Sequence, residues 1–236
     1  MPPRRRGAHV VLLGPDGVGK TAVLDALEAD LVAAGVPVRR RHLRPHLDAV
    51  WRTPPAPEAP VRPASVRGPL GSHLQALAWL VEAHVAHRVR DAGWLRRGGW
   101  ILQDRDLADL AVDPSRYRSS APERRVLRLL RCAPRPDVRY VLVASPATLD
   151  ARRAGRPGGA DAGRYRALAG RLPDARVVEA EAALPVVVAA VREDLARRGW
   201  GAAFGAALGA ALEGTPGAAP GVRRPPASPA PPRRSR

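Results

Sequence analysis

The chain has 236 residues, 45% hydrophobic and 26% charged, which supports one sizeable core with appendages and excludes disorder throughout. Part of its net charge of +17 lies in Arg4–Arg6 and in Arg223, Arg224, Arg233, Arg234 and Arg236 at the two ends, and much of the rest alternates with Ala and Leu on predicted helices. That distribution argues against a specific nucleic-acid footprint, and no window approaches the ~20 apolar residues of a membrane span.

Along the chain, strand and helix signals alternate, the order expected of a parallel sheet covered by helices. Residues 1–7 form a basic tail whose apolar continuation is too short for a signal peptide, so the chain reads as cytoplasmic. "AHVVLLG" (Ala8–Gly14) predicts a buried strand, and "KTAVLDALEADLVAAG" (Lys20–Gly35) a helix with Gly35 at its C′ position. "VPVRRRHL" (Val36–Leu43) fits a second strand despite its arginine run. From Pro45 to Gly71 proline excludes helix and interior strand, leaving a long loop.

A long helix is predicted from Ser72 to about Leu95, with Leu74, Leu77, Leu80 or Val81, and Val85 in one stripe and Trp79 in the core. "GWILQD" (Gly99–Asp104) is a strand ending in an acid. "APERRVLRLLRC" is helical, with Pro122 near its start and Cys132 read as a buried, inert thiol. As the single cysteine, Cys132 also excludes an internal disulfide. "VRYVLVAS" (Val138–Ser145) is a fourth strand, a helix begins at Pro146, and "ARVVEA" is a fifth strand. "ALPVVVAAVREDLARRG" closes a domain spanning 8–200. Residues 201–236, rich in Ala, Gly, Pro and Arg, are expected to be a disordered tail.

The segment "GPDGVGKT" fits G-x-x-x-x-G-K-[ST] at every fixed position, between a predicted strand and a predicted helix. In such a loop the backbone N–H groups of Gly14, Pro15, Asp16, Gly17, Val18 and Gly19 (Pro15 apart, which has none) curl around a phosphate cluster, and the helix start adds its positive dipole end. Lys20 is the only lysine in the chain. A compact ammonium fits beneath a phosphate loop where a planar guanidinium is too large and too directional. Thr21 offers a hydroxyl to Mg²⁺, and Asp104, at a strand's carboxyl end, is placed to hold the metal directly or through water.

With those residues in place, the chain resembles the thymidylate kinase-like branch of the P-loop nucleoside monophosphate kinases over about Ala8 to Arg198. The resemblance rests on "GPDGVGKT", "QDRD", "PDVRYVLVASPATLDARR", "YRAL" and "DLAVDPSRYR". It implies a three-layer α/β fold with a five-stranded parallel sheet in the order 2-3-1-4-5, flanked by helices. It further implies ATP and Mg²⁺ as cofactors and γ-phosphoryl transfer to a small acceptor, foremost a nucleoside monophosphate. Lys20 and Thr21 would serve ATP and Mg²⁺, and Asp104 the metal or the acceptor's orientation. Arg105 and Arg44 would bind the acceptor's phosphate, and Asp16 would face its sugar hydroxyl. Arg152, Arg153 and Arg156, in a lid over 152–163, would close on the transferring group, and the Pro-rich loop 45–71 would lie on the acceptor side. Homodimer formation through helices is a further implication.

Position 18 is Val, so any catalytic arginine comes from outside the loop, and "ARRAGRPGG" is the donor that chemistry suggests. Three departures from the family pattern bear on the acceptor. Ala83 stands where the family has an acceptor-gripping arginine, with His84 and His87 nearby. Asp106 follows Asp-Arg where an aromatic is usual, and the lid is short and glycine-rich. The alternatives are a kinase of a non-nucleotide acceptor in a carbohydrate or natural-product pathway, or a nucleotide-binding protein without transfer activity.

Overall fold

In the computed structural model the described residues are 6–43, 66–153, 162–204 and 222–223. Five parallel strands, β1 (His9–Leu13), β2 (Val38–His42), β3 (Trp100–Asp104), β4 (Val138–Val143) and β5 (Ala175–Glu179), form one sheet in the order β2-β3-β1-β4-β5. This is the expected order. Register places Leu12 opposite Asp104 on one side and Tyr140 on the other, so β1 and β3 end within a residue of each other and β4 runs two residues beyond β1. β4 is buried at all six positions and β1 at four of five, as a sheet covered on both faces requires.

The alternation of β1 divides the core. Val10 and Leu12 face a layer containing helix α1 (Lys20–Ala33) and the last helix, α8 (Leu184–Leu195). Val11 and Leu13 face the opposite layer of α2 (Pro69–Ala86), α4 (Asp109–Val112), α5 (Glu123–Cys132) and α7 (Ala162–Ala169). Between α2 and β3 a π turn, His87–Asp91, leads into the short helix α3 (Ala92–Arg96). Helix α6 (Pro146–Arg153) follows β4. Among the described residues no helix is long and apolar enough to cross a membrane.

The arginine run of β2 is accommodated because β2 is an edge strand. Arg40 reaches Asp25 and Glu28 of α1 at 2.8 and 3.1 Å. On the other face Arg39 lies 3.9 Å over the Trp94 ring, and Arg41 makes a paired bond to Asp91. The π turn is what buries Asp91 (2% exposed) beneath that arginine.

Several sequence expectations need correction. The proline-rich loop ends earlier than Gly71, since Pro69 opens α2 at its first position, where a missing N–H costs nothing. The stripe of α2 faces outward: Leu74, Leu77, Val81 and Val85 are 44–56% exposed, while Ala76, Trp79 and Leu80 are buried. Cys132 is exposed, because it is the last residue of α5 rather than part of its inner face. The folded body continues past Gly201 in a 3₁₀ turn that packs Phe204 edge-on against Trp100, at a centroid distance of 5.5 Å. Farther along, Arg223 bridges to Val177 of β5. The remaining tail, 205–221 and 224–236, lies outside the described residues.

Candidate active site

The loop between β1 and α1 turns beneath the carboxyl ends of β1 and β4. Gly14 has φ +146°, and a Cβ there would lie 2.4 Å from the Leu142 carbonyl oxygen, so no side chain fits. Gly19 caps α1 in the left-handed region at φ +97° and turns the chain into the helix. Val18 is buried in the core, which anchors the loop's underside. Lys20, the first residue of α1, is 6% exposed, and its Nζ donates to the carbonyls of Gly14 and Pro15, both at 2.9 Å. Burial, then the neighbouring Arg105 charge, lowers its pKa from 10.5 to about 8. Thr21 is exposed beside it.

Asp104 ends β3 next to the loop. One carboxylate oxygen pairs with His42 Nδ1 at 3.2 Å, and the other is buried with no partner. Burial pushes this carboxyl up, but the His42 hydrogen bond and the Lys20 charge outweigh it and hold the acid below its ordinary range. An ionised carboxylate with an orphan buried oxygen is a donor atom waiting for a cation or a metal-bound water. With the Thr21 hydroxyl, that is a donor set suited to Mg²⁺.

Arg105 adopts φ +60°, uncommon outside glycine, and is held there by its N–H on the Leu12 carbonyl at 3.0 Å. Its guanidinium is 3% exposed and donates to both oxygens of Asp109 at 2.8 and 2.7 Å and to Asp16 at 2.5 Å. Asp109 is fully buried and also accepts from Tyr117 and Tyr165, each at 2.7 Å. Burial and the Asp109 charge push both phenols well above their ordinary range, so both remain donors. The second oxygen of Asp16 accepts from Arg116. For Asp16 burial acts upward, but Arg105 and Arg116 prevail and keep it ionised.

Of the lid arginines, Arg153 lies on the loop. Its Nε donates to the Asp16 carbonyl at 2.9 Å, and its Nη2 is buried without a partner. Arg152 points elsewhere, donating to Ala180 at 2.8 Å and Glu181 at 3.4 Å beyond β5. Arg44 and Arg156 lie outside the described residues. So do 45–65 of the proline-rich loop and 154–161 of the expected lid. Lys20, Asp104, Asp16, Arg105 and Arg153 are brought together, with Thr21 following Lys20 in the chain.

Asp106, the unexpected residue after Asp-Arg, is accounted for by packing. It caps Ala108 at 2.9 Å and pairs with buried Arg139 at 2.7 Å, while Arg139 also pairs with Asp174. Ala83 and His87 line a cavity of about 120 Å³ with His9, Arg41, Asp91 and His42, the partner of Asp104. His84 bonds the Cys132 carbonyl at 2.6 Å. Sequence reasoning missed the organising roles of Asp109, Asp113 and Arg116. The Arg105–Asp109 spacing of four and the Asp113–Arg116 spacing of three were the available signals.

A glycine loop feeding a helix, an acid at the end of the neighbouring strand and this sheet order together define the P-loop kinase fold. Comparison with solved structures narrows it to the thymidylate kinase form of that fold, in a divergent version. The thymidylate kinase of Candida albicans matches with a TM-score of 0.56 at 14% identity, covering 82% of this chain and 93% of that one. The thymidylate kinase of Ehrlichia chaffeensis matches with a TM-score of 0.53 at 13% identity, covering 80% and 99%. No protein-family model matches the sequence, and no curated protein does either.

Proposed function

We infer that the chain is an ATP-dependent phosphotransferase that moves the γ-phosphoryl group to a small acceptor, foremost a nucleoside monophosphate. The observation that carries this reading is the buried Lys20 ammonium under a loop of left-handed glycines, directly beside the Arg105–Asp16 cluster. Phosphoryl transfer demands positioning and charge stabilisation more than covalent chemistry. Lys20 exchanges its two carbonyl partners for phosphate oxygens. Thr21 and Asp104 are the residues that would hold Mg²⁺, which would supply charge neutralisation when bound. Arg153, with an unpartnered Nη2 at the loop, is the proposed lid cation for the transferring group, and Arg156 and Arg44 are proposed as further cations for donor and acceptor. Arg152 requires a turn away from the Ala180 carbonyl to join them.

The use of Asp106 as the partner of Arg139 favours a second reading, a non-nucleotide acceptor, because it removes an aromatic platform from the acceptor side. A coupled ADP-release assay across the nucleoside monophosphates, extended to non-nucleotide alcohols, tests both. Stimulation by one monophosphate above the no-acceptor rate is expected; stimulation only by an alcohol favours the second reading, and none by either leaves a nucleotide-binding protein without transfer.

A further inference from the structure

We propose that Arg116 is a second ligand for the acceptor's anionic group, paired with Arg105, and that Asp16 occupies their shared site until the acceptor displaces it. This rests on the kinase reading above and names a residue that reading does not use.

Two guanidiniums converge on one carboxylate. Arg105 donates to Asp16 Oδ1 and Arg116 to Oδ2. Arg116 is not a chance neighbour of the loop. Asp113, 4% exposed, accepts its Nε at 3.2 Å and its backbone N–H at 3.3 Å, which turns the remaining guanidinium edge towards Asp16. The turn carrying it is fixed from the far side as well. Tyr117 packs edge-on against Trp79 at 5.4 Å, and its hydroxyl is bound by Asp109. Arg118 closes the turn at φ +53°.

The clamp is therefore preorganised, while its occupant is not. Asp16 is 43% exposed, and outside its contacts to the two arginines its side chain faces solvent. Only the Asp16 end of these pairs is open to solvent; Arg105 is buried and Arg116 half-buried, so the guanidinium edges that Asp16 leaves call for another anion in its place. A phosphomonoester carries about −1.5 to −2 charge near neutrality against −1 for a carboxylate, and presents three acceptor oxygens. It outcompetes Asp16 for both guanidiniums. The displaced carboxylate then becomes free to accept from an acceptor hydroxyl, so capture of the anion and release of Asp16 are one event.

The test is calorimetric titration of inorganic phosphate into the full chain saturated with Mg²⁺ and a non-hydrolysable ATP analogue, so that the glycine loop is already filled. Phosphate is expected to bind, about tenfold more weakly in Arg116→Gln, with Arg116→Lys between the two. Asp16→Asn removes the internal competitor and is expected to tighten phosphate, and adding Arg116→Gln is expected to abolish that gain. Equal binding by wild type and Arg116→Gln, or no binding of phosphate to the nucleotide complex, overturns the proposal. If Arg116→Gln does not fold, the sign of the Asp16→Asn effect decides: weaker or unchanged phosphate binding overturns it. Absence of heat from the ATP analogue itself is a separate result, and it removes the kinase reading together with this one.

Discussion

Lys20 stands where an ammonium and a guanidinium are least interchangeable. Two carbonyls accept from its Nζ at 2.9 Å in a buried setting that suits a compact ammonium better than a planar fork. Lys20→Arg is expected to lose nucleotide binding almost as fully as Lys20→Ala, which parallel titrations check. Its depressed pKa, about 8 against 10.5, also sets a pH dependence. Between those values the unfolded chain binds more protons than the folded one, so the unliganded fold gains stability as pH rises through that window. Triphosphate binding restores the charge, so association at pH 8.5 is expected to take up a proton and at pH 6.5 none. Binding heats measured in buffers of different ionisation enthalpy report this directly; buffer-independent heats at pH 8.5 would count against it. Asp109 presents the structural counterpart. Asp109→Ala leaves the buried Arg105 guanidinium with only the half-exposed Asp16 as counter-ion and takes the acceptor from two buried phenols, at a cost of about 3–5 kcal/mol, visible as a lowered midpoint in denaturant.

At the scale of elements, α2 separates what periodicity reveals from what it conceals. Two apolar rows run along this helix, and spacing alone does not say which faces the sheet. The row containing Ala76, Trp79 and Leu80 is buried, and the row of Leu74, Leu77, Val81 and Val85 is left outside. Leu80→Ala is therefore expected to cost about 2–4 kcal/mol, whereas Val81→Glu should barely move the unfolding midpoint. A second copy of the chain would cover the outer row if the chain dimerises through helices, as the resemblance to thymidylate kinase-like proteins implies. Sedimentation velocity of wild type and Leu77→Glu/Val81→Glu checks it: a dimer lost in the double variant is expected, and a wild-type monomer at micromolar concentration would contradict it. β2 taught the opposite lesson. Its VRRRH run looked ill-suited to a strand, yet each arginine finds an acid or a ring because the strand lies at the sheet's edge. Lateral position within a sheet is set by distant pairings, which a local pattern does not contain.

Across the whole molecule, the glycine loop was legible because its spacing encodes a backbone path that few other residues permit. The sheet order followed from that loop and the strand sequence through resemblance. The acceptor side was less legible because its residues are gathered from afar: 100 positions separate Arg116 from Asp16, and 137 separate Arg153 from the same loop. The partner of Asp106 was hidden for a related reason, since Arg139 lies on a strand two places away in the sheet. The proposed purpose that ties these pieces together is triphosphate binding at the loop. Calorimetric titration of ATP with Mg²⁺ into the full chain at pH 7, beside Lys20→Ala, measures it. Saturable single-site binding in the wild type and none in the folded variant is the expected result. No heat of association in the wild type with either ATP or GTP, or undiminished binding after Lys20→Ala, would contradict the account.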